Sequence, residues 1–197
     1  MKVAFALPLA QIGWPIHWWP SRGVGRPFWP PVALRSTDVY ARNFSADDIK
    51  KNNVVLIGGQ KSEPWDYLFD GQLNFVTDYD YDSAKPLQIV RNRNSKPGEQ
   101  PAYSVQGTSG ELIGYATIAY LPNPSHTSNV IILAGTDSDA TDAAAEFLTS
   151  QNEMEKFRNA LHMSSFPYFE VLLKTTRLSG TSFSAELLAY RTYPQIH

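Results

Sequence analysis

Asn129-Val-Ile-Ile-Leu-Ala-Gly-Thr-Asp-Ser-Asp-Ala-Thr-Asp-Ala-Ala-Ala-Glu-Phe-Leu148 is the stretch that decides the fold. After Asn129, Val130–Ala134 form a short, continuous apolar run, and Asn129 to Ala134 reads as a strand covered on both faces. Gly135 closes the run. Ser138 is placed to cap a helix whose apolar positions, Ala140, Ala143, Ala144, Phe147 and Leu148, fall on one face. A buried strand, a glycine and an amphipathic helix in that order spell a βα unit. The same grammar stands upstream in Asn53-Val-Val-Leu-Ile-Gly-Gly-Gln-Lys-Ser-Glu-Pro-Trp65. There Pro64 beside Glu63 marks a helix start, and Trp65, Leu68, Phe69 and Leu73 follow at helical spacing.

Working outward, strands are expected at 74–79, 87–91, 101–105 and 113–120. A helix with Asn152 and Glu155 as a capping box carries Met154, Phe157 and Leu161. Strands at 168–176 and 184–191 are joined through Gly180, the pattern of a hairpin. Strands alternate with helices in places and run consecutively in others. The expected fold is therefore α/β, a mixed β-sheet with helices packed on it, three-layer and Rossmann-like in part. Residues 1–35 stand apart as a Trp/Pro-rich irregular arm, with four of the five tryptophans and six prolines. Prolines at that density forbid a long helix. Regular structure is expected from about Ser36, with residues 36–197 as a single α/β domain.

Composition removes several functions. The net charge of −2 over 197 residues gives no electrostatic reason to bind nucleic acid. There is no cysteine, which excludes disulfides, thiolate catalysis and cysteine metal sites. A secretory signal is only weakly sketched by Lys2 and the run Val3 to Ala10, because Pro8 spoils the cleavage site. That run is also too short to span a membrane. A cytoplasmic or membrane-associated location is favoured over secretion.

Two corners are candidate ligand sites, because ligands of open α/β sheets bind at the carboxyl ends of strands. The first comprises Gly58, Gly59, Ser62 and Trp65. The second comprises Gly135, Thr136, Asp137, Ser138 and Thr141. Neither matches a dinucleotide fingerprint or a phosphate-cradling Gly-Lys-Ser/Thr motif. Asp137 and Asp139 also place negative charge where a phosphate would need positive, which favours a hydroxyl- or amine-bearing ligand. Each corner also reads simply as a well-made turn.

Other patterns carry less. Asp78, Asp80 and Asp82 begin like a calcium loop, but Ser83 and Ile89 stand where glycine and glutamate would be needed. Gly23-Val24-Gly25 lacks a third glycine and a preceding strand. His17, His126, His162 and His197 have no metal-ligand spacing, and no Gly-x-Ser-x-Gly elbow is present. Glu170 and Glu186 read as strand residues without a paired acid. Arg91, Arg93 and Lys96 read as a solvated loop that could also hold an anion. No catalytic residue, metal ligand or cofactor is assigned.

The segments Asn53–Trp65, Gly71–Phe75, Asn129–Leu148 and Tyr168–Lys174, in that order, resemble the C-terminal α/β domain of bacterial regulators. Those proteins carry an N-terminal winged-helix DNA-binding domain, often with a transmembrane linker. The resemblance spans about residues 36–191 and implies signal sensing or regulation, not a reaction. No winged helix precedes residue 36. The region that would come before Ser36 in such regulators is replaced by the arm, so the domain reads as cut short at its N-terminus, with a sheet edge open to a partner.

The leading expectation is a non-catalytic ligand-sensing or regulatory domain with both corners at one sheet edge. The alternatives are an enzyme on a small polar or nucleoside-like substrate with Asp137 or Asp139 as base, and an interaction module using the Trp/Pro arm. Partners left open are a small polar ligand, a protein partner, a homo-oligomer and a membrane surface. Direct nucleic-acid binding is not expected.

Overall fold

The computed structural model describes residues 4–7, 37–39, 43–59, 64–82, 86–108, 110–163, 166–178 and 184–194. In chain order the elements are β1 (Ala4–Leu7), β2 (Thr37–Val39), α1 (Ala46–Lys51), β3 (Asn53–Ile57) and a 3-10 helix (Pro64–Leu68). Next come β4 (Phe75–Asp80), β5 (Leu87–Asn92), β6 (Ala102–Ser104), β7 (Gln106–Thr108), β8 (Glu111–Pro122) and β9 (Asn129–Gly135). The chain closes with α2 (Ser138–Thr149), α3 (Gln151–Leu161), β10 (Tyr168–Leu178) and β11 (Ser184–Tyr193).

The main sheet runs β11-β10-β8-β9-β3-β1-β2, with β7 paired to β8. The β3–β9 pair is parallel, while the other described pairs are antiparallel. A second, three-stranded sheet has the order β4-β5-β6. The expected mixed sheet with helices packed on it is thus present.

Strand alternation assigns the two faces of the main sheet. Ala116, Ile118, Leu133, Val171 and Leu173 point to one side, where Ala140, Ala144 and Phe147 of α2 and Met154 and Phe157 of α3 cover them. The residues between them point the other way. Val54, Leu56, Ala119, Leu121, Val130 and Ile132 gather Ile49 of α1 with Phe69, Leu73 and Val76. Beside them, Tyr115, Leu172 and Ala189 meet Phe75, Val90 and Tyr103 of the second sheet. Being covered on both faces explains why β3 and β9 read as unbroken apolar runs.

The structure alters several expected details. Ala4–Leu7 lies inside the stretch expected to be irregular, yet it forms a strand between β2 and β3. Pairing there supplies partners for backbone groups along β3. The rest of the arm, including Gly23–Phe28 and the four tryptophans, lies outside the described residues, as do His17 and His197. The helix expected to run to Leu73 is a five-residue 3-10 helix. Its chain is drawn off at Asn74, whose amide is claimed by a carboxylate on β10.

Asp137, not Ser138, caps α2. Ser150 caps α3, so that helix begins before the expected Asn152–Glu155 box. α1 was not anticipated; Ser45 and Asp48 form its capping box, with Asp in the role usually taken by Glu. The hairpin of β10 and β11 is present, with a bulge that leaves Leu188 as the extra residue. Among the described residues, no helix is long and apolar enough to cross a membrane.

Candidate functional site

The two glycine corners meet. β3 and β9 are parallel and in register, with Ile57 opposite Leu133. Their carboxyl ends therefore open at the same edge. Gly58 has φ of 124°, and its amide donates to the Leu133 carbonyl at 2.8 Å. That conformation is open to glycine and strained for other residues. Gly59 is buried, and a Cβ there would run into the Gln88 amide and lie 3.2 Å from the Thr77 hydroxyl. Trp65 is half-buried against the cluster around Ile49 and Leu56. Ser62 lies outside the described residues.

The second corner is committed to the fold. Gly135 is buried, and a Cβ there would lie 2.6 Å from the Thr141 amide. The Thr136 amide donates to the Tyr115 carbonyl at 2.8 Å. Its hydroxyl accepts from the Tyr115 amide at 3.0 Å, extending the β8–β9 ladder through a side chain. Asp137 Oδ1 accepts from the Ala140 amide at 2.7 Å, and the Thr141 hydroxyl donates to the Asp137 carbonyl at 2.9 Å. Asp139 pairs with Arg177. Ser138 is exposed. This corner positions α2, and most of its polar atoms already have partners.

A small cavity lies on the opposite face of the sheet from α2, next to Gly59. Thr117 of β8 and Ala134 and Ile132 of β9 form its floor, and Asp66, Asp70, Leu73, Phe75 and Thr77 wall it from above. Its volume is about 10 Å³, room for about one water, and it is partly open to solvent. Thr77 and Thr117 are only 5% and 6% exposed. Among the described residues neither hydroxyl has a hydrogen-bond partner. Asp70 is ion-paired with Arg93 at 3.1 Å.

A buried polar network beside the cavity escaped the sequence reading, which took Glu170 for an ordinary strand residue. Glu170 is 1% exposed near the start of β10. Its carboxylate accepts from the Asn74 amide at 2.8 and 3.0 Å, from the Phe75 amide at 2.8 Å and from the Tyr193 hydroxyl. Burial pushes its carboxyl above the ordinary range, against the opposing effects of those three donors and of Arg191. Burial, and then the hydrogen bond to Glu170, push the Tyr193 phenol up as well.

Next to it Arg191 grips Glu99 at 2.6 Å and sits 4.8 Å from the centre of the Phe75 ring. That guanidinium, more than any other neighbour, holds the Glu99 carboxyl down to about 2. Asn92 joins the two parts, accepting from the Asn74 side chain at 2.8 Å and donating to Glu99 at 2.8 Å. The sequence signal was a lone acid inside the apolar run Tyr168-Phe-Glu-Val-Leu-Leu.

The remaining candidates dissolve into ion pairs and turns. Arg91 pairs with Asp78 at 2.6 Å, and its guanidinium holds the Asp78 carboxyl below the ordinary range. Arg93 is taken by Asp70 and by the carbonyls of Asp70 and Leu73. The basic loop is therefore not a free anion site. Asp80 Oδ1 accepts from the Asp82 amide at 3.0 Å. His126 and His162 both adopt left-handed backbone, the latter ending α3. Among the described residues, no group of three or more His, Asp or Glu side chains could hold a metal ion. Comparison of the chain with protein-family models, with characterised proteins and with solved structures gives no match.

Proposed function

We propose that this chain is a non-catalytic ligand-sensing or regulatory domain of a bacterial signalling or transcription-regulator-like protein, with its ligand at the shared carboxyl edge of β3 and β9. One observation carries the reading: two corners more than 70 residues apart in sequence are brought side by side by the parallel pair. In this reading β3, β9 and the helix after β9 form a Rossmann-like element within a three-layer arrangement. A ligand at such an edge is placed by the strand-end rule. The resemblance to the C-terminal domain of winged-helix regulators supports the same role.

Of the acids at these corners Asp70 and Asp139 are paired with Arg93 and Arg177, and no basic side chain lines the cavity, which favours a neutral or amine-bearing ligand over a phosphate. The enzyme alternative needs a carboxylate in a concave, water-poor pocket. Asp137 is exposed and spent on a helix cap, and Asp139 is paired with Arg177. Both facts favour binding over catalysis.

A thermal-shift panel of nucleotides, sugars and amino acids tests the reading. A ligand present at 100 times its Kd stabilises by about 2.7 kcal/mol, or roughly 5–11 °C for a chain of this size. The compound that shifts Tm should also move the amide resonances of Gly58 and Gly59. A panel with no shift, or a ligand that moves only resonances remote from this edge, would overturn the proposal.

A further inference from the structure

We infer that the cavity beside Gly59 receives one hydroxyl group of a neutral, polyhydroxylated small molecule, with the Thr77 and Thr117 hydroxyls as its partners. This rests on the ligand-sensing reading and gives that ligand a chemical class.

Three observations carry it. First, two threonines from different sheets line one small space, each more than nine-tenths buried as a residue and neither with a side-chain hydrogen bond to a described residue. A hydroxyl with no protein partner is left to water or to a ligand, so the space suits an atom that both donates and accepts. Second, the volume of about 10 Å³ admits a single oxygen. A ligand hydroxyl reproduces the hydrogen bonds of a water in that place, and releasing the water offsets part of the ordering cost. A phosphate group is too large for the space, and Asp66 and Asp70 would repel it. Third, Gly59 packs directly on Thr77, so the space adjoins the corner proposed to hold the ligand.

The test is titration of the full chain with D-ribose, D-glucose, glycerol and myo-inositol, followed by amide chemical shifts. Ethanolamine and inorganic phosphate serve as counter-probes. At least one polyol should bind. Thr117→Val and Thr77→Val should each weaken it about tenfold, the scale of one lost hydrogen bond. Thr117→Ser, which keeps the hydroxyl, should restore most of the affinity and so separates a binding defect from a folding defect. Polyol binding unchanged in both valine variants would overturn this inference while leaving the sensing role intact. So would binding of ethanolamine, phosphate, a nucleotide or an amino acid with no polyol bound. If neither these probes nor the wider panel bind, the inference and the sensing role both fall.

Discussion

Removing the Glu170 carboxylate tests the buried network most directly. In Glu170→Ala the amides of Asn74 and Phe75 and the Tyr193 hydroxyl lose their acceptor together. An orphaned buried donor costs about 1–3 kcal/mol, so three would cost roughly 3–9 kcal/mol. The variant also no longer desolvates a carboxylate, which returns part of that loss. The net effect should fall near 3–5 kcal/mol, the usual range for breaking a buried charged pair. Against a domain stability of about 5–15 kcal/mol that is a large fraction.

Glu170→Gln should cost only about 1–2 kcal/mol. Its oxygen can keep the Phe75 amide and one bond from Asn74, and the Tyr193 hydroxyl can turn to accept from the new amide. Tyr193→Phe leaves both backbone amides bonded and should cost about 1 kcal/mol. Urea unfolding gives the three values from the midpoint shift at constant m.

The pH dependence gives a second readout. Burial raises the Glu170 carboxyl above its ordinary 4.5, so the native state holds this proton more tightly than the unfolded chain does. Its contribution is present below 4.5 and is lost as pH rises through the raised native value. Glu170→Gln should remove that slope. If Glu170→Ala came within about 1 kcal/mol of the native protein, or Glu170→Gln were as damaging as Glu170→Ala, or the slope survived, the reasoning would be wrong.

Two further outcomes follow from neighbouring groups. Arg191 holds Glu99 near 2, so this pair's contribution is present above the ordinary 4.5 and fades as pH falls between those values; Glu99→Gln should flatten that acid limb in urea midpoints measured across it. Asp137→Ala should lose about 1 kcal/mol through its cap, whereas Asp137→Ser should stay within a few tenths; equal losses in thermal unfolding would mean the carboxylate does more than cap α2.

Much of the fold was legible because its signals are local. The runs 54–57 and 130–134 are apolar on every residue, the pattern of strands covered on both faces. The α2 periodicity and the final hairpin were visible for the same reason. Helix starts were missed by one or two residues, since Asp137, Ser138, Ser150 and Asn152 are all competent caps and the choice among them depends on where the preceding chain ends. The 3-10 helix was overcalled because Trp65, Leu68, Phe69 and Leu73 do keep helical spacing. Nothing nearby announced that Glu170, 96 residues later, would claim the Asn74 amide.

The corner glycines could be read from sequence as turns at strand ends, because a residue that relaxes φ or permits close approach is a local requirement. Sequence alone therefore determined the strands other than β1, β2 and β7, the α2 helix and the two glycine corners. Only the tertiary structure decided that the corners are neighbours, that Thr77 and Thr117 face one space, and that Glu170 is buried among three donors. Those facts depend on which strands pair and what covers each face. Partners 23 to 96 residues apart leave no periodic trace along the chain, so hydrogen-bond satisfaction and burial settle them only when the sheets close.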